Sequence, residues 1–281
     1  RGAVSWRRLI RLHERPDMMR MPSYFISHGG GPWPWMPEMA AQLAPLARSL
    51  AAMPGEIGAR PEAVLMISGH WESDDFAVMH AARPRMVYDY YNFPPHTYEI
   101  TYPAPGAPAL AERAAGLIAA AGLPSRLDGE MGYDHGTFVP MAVMYPQADV
   151  PLFQVSLRHG YDPAQHMALG RALASLRDEG VLIVGSGLSY HNLAQFGPQA
   201  RVPSAAFDAW LNAALALPPE DRTRAILDWE AAPHARDCHA QEDHLVPLFA
   251  ALGAAEAERA TRVYHQTEVF GGVTASSWRF G

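Results

Sequence analysis

From Met21 onward, short apolar runs alternate with longer stretches of helical spacing. Residues 22–27 (PSYFIS) read as a strand that ends at His28 and is broken by Gly29, Gly30, Gly31 and Pro32. Residues 63–68 (AVLMIS) and 181–185 (VLIVG) are continuous apolar runs bounded by turn residues, the pattern of strands buried on both faces. Residues 76–80 and 150–157 predict two further strands. Helical spacing falls on residues 39–53, 108–121, 163–180, 204–217 and 243–253. Gly122 closes the second of these helices, and Asp162 with Pro163 opens the third, as cap residues do. Strands alternating with helices predict an α/β fold: a single domain with a central, largely parallel or mixed sheet flanked by helices. The proline-rich segments 31–37 and 93–108 read as structured loops, and no linker or repeat divides the chain.

Composition narrows the function. Of 281 residues, 49% are hydrophobic and 18% charged, a balance that buries a core and excludes a disordered chain. The net charge is −7 and all 22 basic residues are arginine, which argues against nucleic-acid or anionic-membrane partners. No apolar run approaches the ~18 residues of a membrane helix. A single cysteine, Cys238, excludes an intrachain disulfide and suits a reducing, cytoplasmic setting. The first 20 residues carry six arginines and read as an N-terminal extension or vector-derived remnant preceding a catalytic domain at 21–281. No heptad pattern bears on oligomeric state.

The chemistry concentrates in the 13 histidines. Three predicted strands run into one: His28 after SYFIS, His70 in SGHW, and His191 in GSGLSYHNL. In open α/β sheets ligands bind beyond the carboxyl ends of the strands. Histidines at that rim, with His244 in EDHLVPL, form a candidate metal set (His28, His70, His191, His244), because neutral imidazole suits Zn(II) and Fe(II). The spacing matches no zinc finger and no HExxH helix, so separate structural roles stay open. His135, in YDHGTFVP, is either a general acid/base or a loop residue at the start of a helix near Thr137. Glu242 and Asp243 are either ligands, partners that orient His244, or solvated charges favoured by a helix N-terminus. His239 lies about 140° round a helix from His244 and is the weaker ligand candidate.

Other signals fall away. The HGGG at 28–31 resembles an oxyanion loop, but no G-x-S-x-G nucleophile elbow exists. Gly185-Ser186-Gly187 lacks the third glycine of a dinucleotide loop, and a chain without lysine has no phosphate-binding P-loop. Cys238 lacks the setting of a nucleophile. His13, His80, His159, His166 and His265 read as surface or structural histidines. Trp33, Trp35, Tyr88, Tyr90, Tyr91 and Phe93 either line an aromatic pocket or pack a loop. Arg158 either meets a substrate carboxylate or lies on the surface.

The ordered set SHGGGP, SGHW, YDYYNFP, YPAPG, YDHGTFVP, FQVSL, SGLSYHNL and EDHLVPLFAALGAA resembles the class III extradiol ring-cleavage dioxygenases, in their single-chain DOPA-4,5-dioxygenase-like branch. The resemblance runs from about Met21 to Gly281. It implies an α/β sandwich, with His28 and His70 as early metal ligands and His244 as the late one. It implies His191 as a ligand in zinc-loaded members and an acid/base in iron enzymes, and His135 as a second active-site histidine. Where the protocatechuate-cleaving relatives place a glutamate ligand, this sequence has His244. The implied cofactor is Fe(II), with Zn(II) able to fill the site in purified protein, and the implied partners are a small catechol and O2. The alternatives are a zinc-dependent hydrolase on the same cluster and a non-catalytic metal-binding protein.

Overall fold

The structure, a computed structural model, describes residues 19–281. Residues 1–18, which hold His13 and nearly all of the expected N-terminal extension, lie outside the described residues. The strands are β1 (Ser23–Ser27), β2 (Ala63–Ser68), β3 (Glu72–Ser73), β4 (Phe76–Met79), β5 (Ser125–Asp128), β6 (Leu152–Gln154), β7 (Leu157–Arg158), β8 (Val181–Gly187), β9 (Ala260–Val269) and β10 (Val273–Phe280). Six of them form the central sheet in the order β6-β2-β8-β1-β10-β9. The first four run parallel, whereas β10 is antiparallel to both β1 and β9. The sheet is therefore mixed, the second of the two arrangements expected.

β1, β2 and β8 are buried along their whole length, as continuous apolar runs require between two layers of helix. Alternation along β8 separates the layers. A Cβ on Gly185 would meet the backbone of Pro247, while the next residue, Ser186, donates its hydroxyl to the carbonyl of Gly136. Helix Val246–Gly253 thus covers one face, backed by helix Pro163–Leu173, and helix His135–Met144 covers the other. Helix Arg201–Leu215 packs on β10.

The differences from the sequence pattern have local causes. The expected strand at 150–157 is two: β6 pairs with β2, then the chain crosses to hydrogen-bond Ala77 through the Ser156 amide, and β7 pairs with β3. The expected helix at 163–180 is α-helical to Leu173 and tightens into a 3-10 turn ended by Gly180 at φ +80°. The last helix starts at Val246, not 243, because Pro247 fixes its first turn; His244 therefore sits in the turn before it. The β9–β10 hairpin and β5 were not anticipated at all.

Candidate metal centre and its pocket

Because β2, β8 and β1 are adjacent and parallel, their carboxyl ends open onto one rim, and His28, His70 and His191 follow them there. Each is fixed by backbone. The His28 amide donates to the carbonyl of Gly187 (3.2 Å), and the Trp33 indole donates to the carbonyl of His28 (2.8 Å). The His70 amide donates to Ser68 Oγ (3.2 Å), which itself donates to Asp134 Oδ1 (2.8 Å). The His191 amide donates to the carbonyl of Cys238 (2.9 Å). His244 reaches the rim from the opposite end of the chain, its carbonyl accepting from the Leu188 amide (3.0 Å). That approach needs Gly187, where a Cβ would lie 2.1 Å from the His244 carbonyl oxygen. Asp134 caps helix His135–Met144 through the Thr137 amide (3.0 Å) and so sets His135, its first residue, beside the others.

The five rings form one cluster. Ring centroids of His28 lie 5.0, 5.2 and 5.4 Å from those of His70, His244 and His135, and His191 stacks on His244 at 3.4 Å. Two carboxylates hold the outer nitrogens. Asp89 accepts from His135 Nδ1 (2.8 Å) and the His135 amide (2.9 Å) through Oδ1, and meets His70 Nδ1 (3.1 Å) through Oδ2. Asp243 accepts from His244 Nδ1 (2.8 Å) and lies 3.5 Å from His191 Nδ1. Burial, then the company of the other imidazoles, keeps His28 and His70 well below the ordinary histidine range. Burial also pushes His244 down to about 4. Burial would raise the Asp243 carboxyl, but His191 and His244 offset this and hold it below the usual carboxylate range.

These features fit a bound cation. With Nδ1 of both His70 and His244 committed to carboxylates, their Nε2 lone pairs face each other at 3.1 Å. Two nitrogens bound to one metal at about 2.0–2.1 Å stand roughly 3.0–3.4 Å apart. Both ring nitrogens of buried His28 lack a hydrogen-bond partner. Neutral imidazoles backed by carboxylates are the usual metal-ligand arrangement. Ligand atoms of His28, His70 and His135 lie within 4.8 Å of one another, as do those of His191, Asp243 and His244.

The cluster floors a cavity of about 490 Å³, within the roughly 300–1,000 Å³ of small-molecule sites. Of the six aromatic residues singled out in the sequence, Tyr90, Tyr91 and Phe93 line it. Trp33 anchors His28, Trp35 packs on Phe138, and the Tyr88 hydroxyl donates to the carbonyl of Ile100, so these three pack behind the pocket. Glu242 pairs with Arg236 (2.6 Å) and is no candidate ligand. His239 is buried against Phe207 and Trp229, with Nε2 on the carbonyl of Ser189 (3.2 Å). Arg158 donates to the carbonyl of Asp74 (2.9 Å), away from the pocket. Cys238 is buried, and burial pushes its thiol up to about 12, which disarms it as a nucleophile. Sequence reasoning missed Asp89, although it lies inside YDYYNFP, and the apolar walls Met39, Leu193, Phe196 and Phe270.

The family model of the catalytic LigB subunit of aromatic ring-opening dioxygenase matches residues 25–281, which contain the whole rim. The chain belongs to this family. The dioxygenase tasH of Hapsidospora irregularis is 34% identical over 278 residues, covering 92% of this chain and 85% of that protein. A 4,5-DOPA dioxygenase extradiol of Portulaca grandiflora is 34% identical, covering 92% and 95%. The Escherichia coli protein described in the same words is 33% identical, covering 84% and 85%. A crystal structure of an uncharacterized Escherichia coli K12 protein superposes with TM-score 0.75 at 28% identity, covering 93% of this chain and all of that one. This member of the LigB family is an oxygenase of the extradiol ring-opening type, acting on a small molecule with O2 and dependent on metal. Among the described residues no helix is long and apolar enough to cross a membrane.

Proposed function

We propose that this protein is an Fe(II)-dependent dioxygenase that opens the ring of a small catechol beside its diol, incorporating both atoms of O2. His28, His70 and His244 would hold the metal, in keeping with the facing Nε2 atoms of His70 and His244 and the unpartnered ring nitrogens of His28. When bound, ferrous iron supplies an electron-rich centre with open positions for the two catechol oxygens and O2. His135 and His191 are the acid/base pair. The His135 Nδ1–H is committed to Asp89, so its Nε2 offers a lone pair to the pocket and takes a phenolic proton as the catechol binds. His191, held more loosely by Asp243, returns a proton as the ring opens. His191 also stands close enough to His244 to close a fourth position around zinc. Zn(II) held by these histidines would be redox-inert and would support no reaction with O2. The relatives' names make DOPA-like catechols the first substrates to try. A cytoplasmic location suits the free, buried Cys238.

The observation that carries this reading is the convergence of five histidines, two backed by Asp89 and two by Asp243, under an aromatic-walled cavity. The test is O2 consumption and the near-UV/visible spectrum of protein reconstituted anaerobically with Fe(II), over a catechol panel. Stoichiometric uptake with a yellow ring-opened product is expected. It should be absent from Zn(II)-loaded protein and from His70→Ala. No uptake with Fe(II) bound would shift the reading to a zinc hydrolase on the same cluster.

A further inference from the structure

The cavity has two ends of opposite character. Its floor is the histidine cluster. Its mouth is built from four separate segments that contribute Met39, Tyr91, Phe93, Leu193, Phe196 and Phe270. Phe270, at the tip of the β9–β10 hairpin, meets Phe196 edge to face with centroids 5.2 Å apart. It also covers Gly30, where a Cβ would stand 3.2 Å from the Phe270 ring. Tyr91 and Leu193 are 78% and 65% exposed, two of the few large hydrophobic side chains among the described residues that face water. Exposed apolar side chains gathered at a pocket rim mark a binding surface.

Among the described residues no arginine lines this mouth. Arg201, which follows the Phe196 loop, is bound through two 2.7 Å contacts to Glu268 on the hairpin. The lining carboxylate, Asp89, spends both oxygens on His70 and His135. The Tyr90 hydroxyl donates to the carbonyl of Thr97. An amino-acid substituent lying against these walls would give up part of the hydration of its carboxylate without meeting a cation among the described residues, and its ammonium would find no free carboxylate among them. Burying an unpaired charge is among the costliest steps in binding. An alkyl or aryl substituent loses nothing and covers apolar wall.

Resting on the ring-opening function above, we propose that the substrate of this enzyme is a catechol carrying an uncharged apolar substituent, not an amino-acid side chain. The ring sits on the histidines and the substituent lies between Leu193, Phe196 and Phe270.

The test compares catechol, 4-methylcatechol, 4-butylcatechol and L-DOPA on Fe(II)-loaded protein. Steady-state O2 uptake is paired with calorimetric titration under nitrogen, where binding is read without turnover. Each added methylene is expected to raise kcat/KM and tighten binding roughly threefold to fourfold. 4-Butylcatechol should exceed L-DOPA by roughly 100-fold. Leu193→Arg, which places a cation at the rim, should cut that ratio at least about tenfold. L-DOPA within about threefold of 4-butylcatechol in both kcat/KM and Kd would overturn the proposal and leave the ring-opening function standing. Failure of every catechol to be opened, with Fe(II) bound, would remove the ring-opening function and this proposal with it.

Discussion

His28 and His166 are equally buried and differ in everything else. His166 lies on helix Pro163–Leu173, edge to face with Phe76 at 5.3 Å. Its Nδ1 donates to the carbonyl of Asp162 (2.8 Å) and its Nε2 accepts from the Arg158 amide (3.1 Å). His28 has no partner on either ring nitrogen and is surrounded by other imidazoles. Burial keeps both rings neutral. The lesson is that burial does not separate a structural histidine from a functional one; the fate of the lone pair does. Leaving a buried polar group unmet costs about 1–3 kcal/mol, so an imidazole like His28 marks a place where something else is bound.

The sharpest way to break this contrast is His28→Ala. Metal content and O2 uptake should fall more than ~100-fold, beyond the loss usual for an outer partner of a ligand. The thermal midpoint of the metal-free protein should hold or rise. A fall in that midpoint would put His28 in the same class as His166. Next is His135→Ala, expected to lower kcat/KM by ~10²–10⁴ while metal stays bound, as measured by metal analysis alongside steady-state rates. Asp89→Asn and Asp243→Asn come third, each weakening metal affinity about 10–100-fold in competition with a chelator.

The smallest effects belong to His166. His166→Ala should leave the kcat of folded protein unchanged but cost about 2 kcal/mol by urea titration, since it orphans the Arg158 amide and opens a cavity. Its pH signature has a definite sign. The folded ring is pushed down to about 4 from an ordinary 6.5, so the unfolded chain binds the extra proton between those values. Stability is therefore full above 6.5 and falls as pH drops towards 4, by about 3 kcal/mol at most from this residue. Urea midpoints at pH 7.5, 5.5 and 4.5 should show a flatter slope in the variant than in the parent protein.

The readability of this sequence followed the type of signal. β1, β2 and β8 were legible because runs such as AVLMIS have no other use than a strand between two layers. The histidines became legible through their place at the ends of those runs. β10 was not. Its VTASSWRF is buried almost throughout, yet Thr274, Ser276 and Ser277 make it look like loop. Hydroxyls satisfy backbone groups here inside the core: Ser277 Oγ accepts from the Ser27 amide (2.9 Å), and the Thr274 and Ser276 amides donate to Ser204 Oγ (2.9 Å) and Ser189 Oγ (3.0 Å). β9 is half exposed and carries its charges on the open side. Asp89 was invisible for another reason. A carboxylate in a loop announces nothing locally, and its link to His70 and His135 exists only once the loop is folded over the rim. The apolar mouth shares that origin, being assembled from segments near residues 39, 91, 193 and 270.

The position of β1 carries a consequence for how the protein is made. β1 sits between β8 and β10, bonded to partners that follow it by about 160 and 250 residues. On the ribosome it waits unpaired at least until β8 has emerged, and long-range pairing of this kind folds slowly. His28 cannot face His244 before then. The metal therefore enters a finished protein rather than guiding its folding, and starving cells of it should yield soluble, folded, inactive enzyme instead of aggregate.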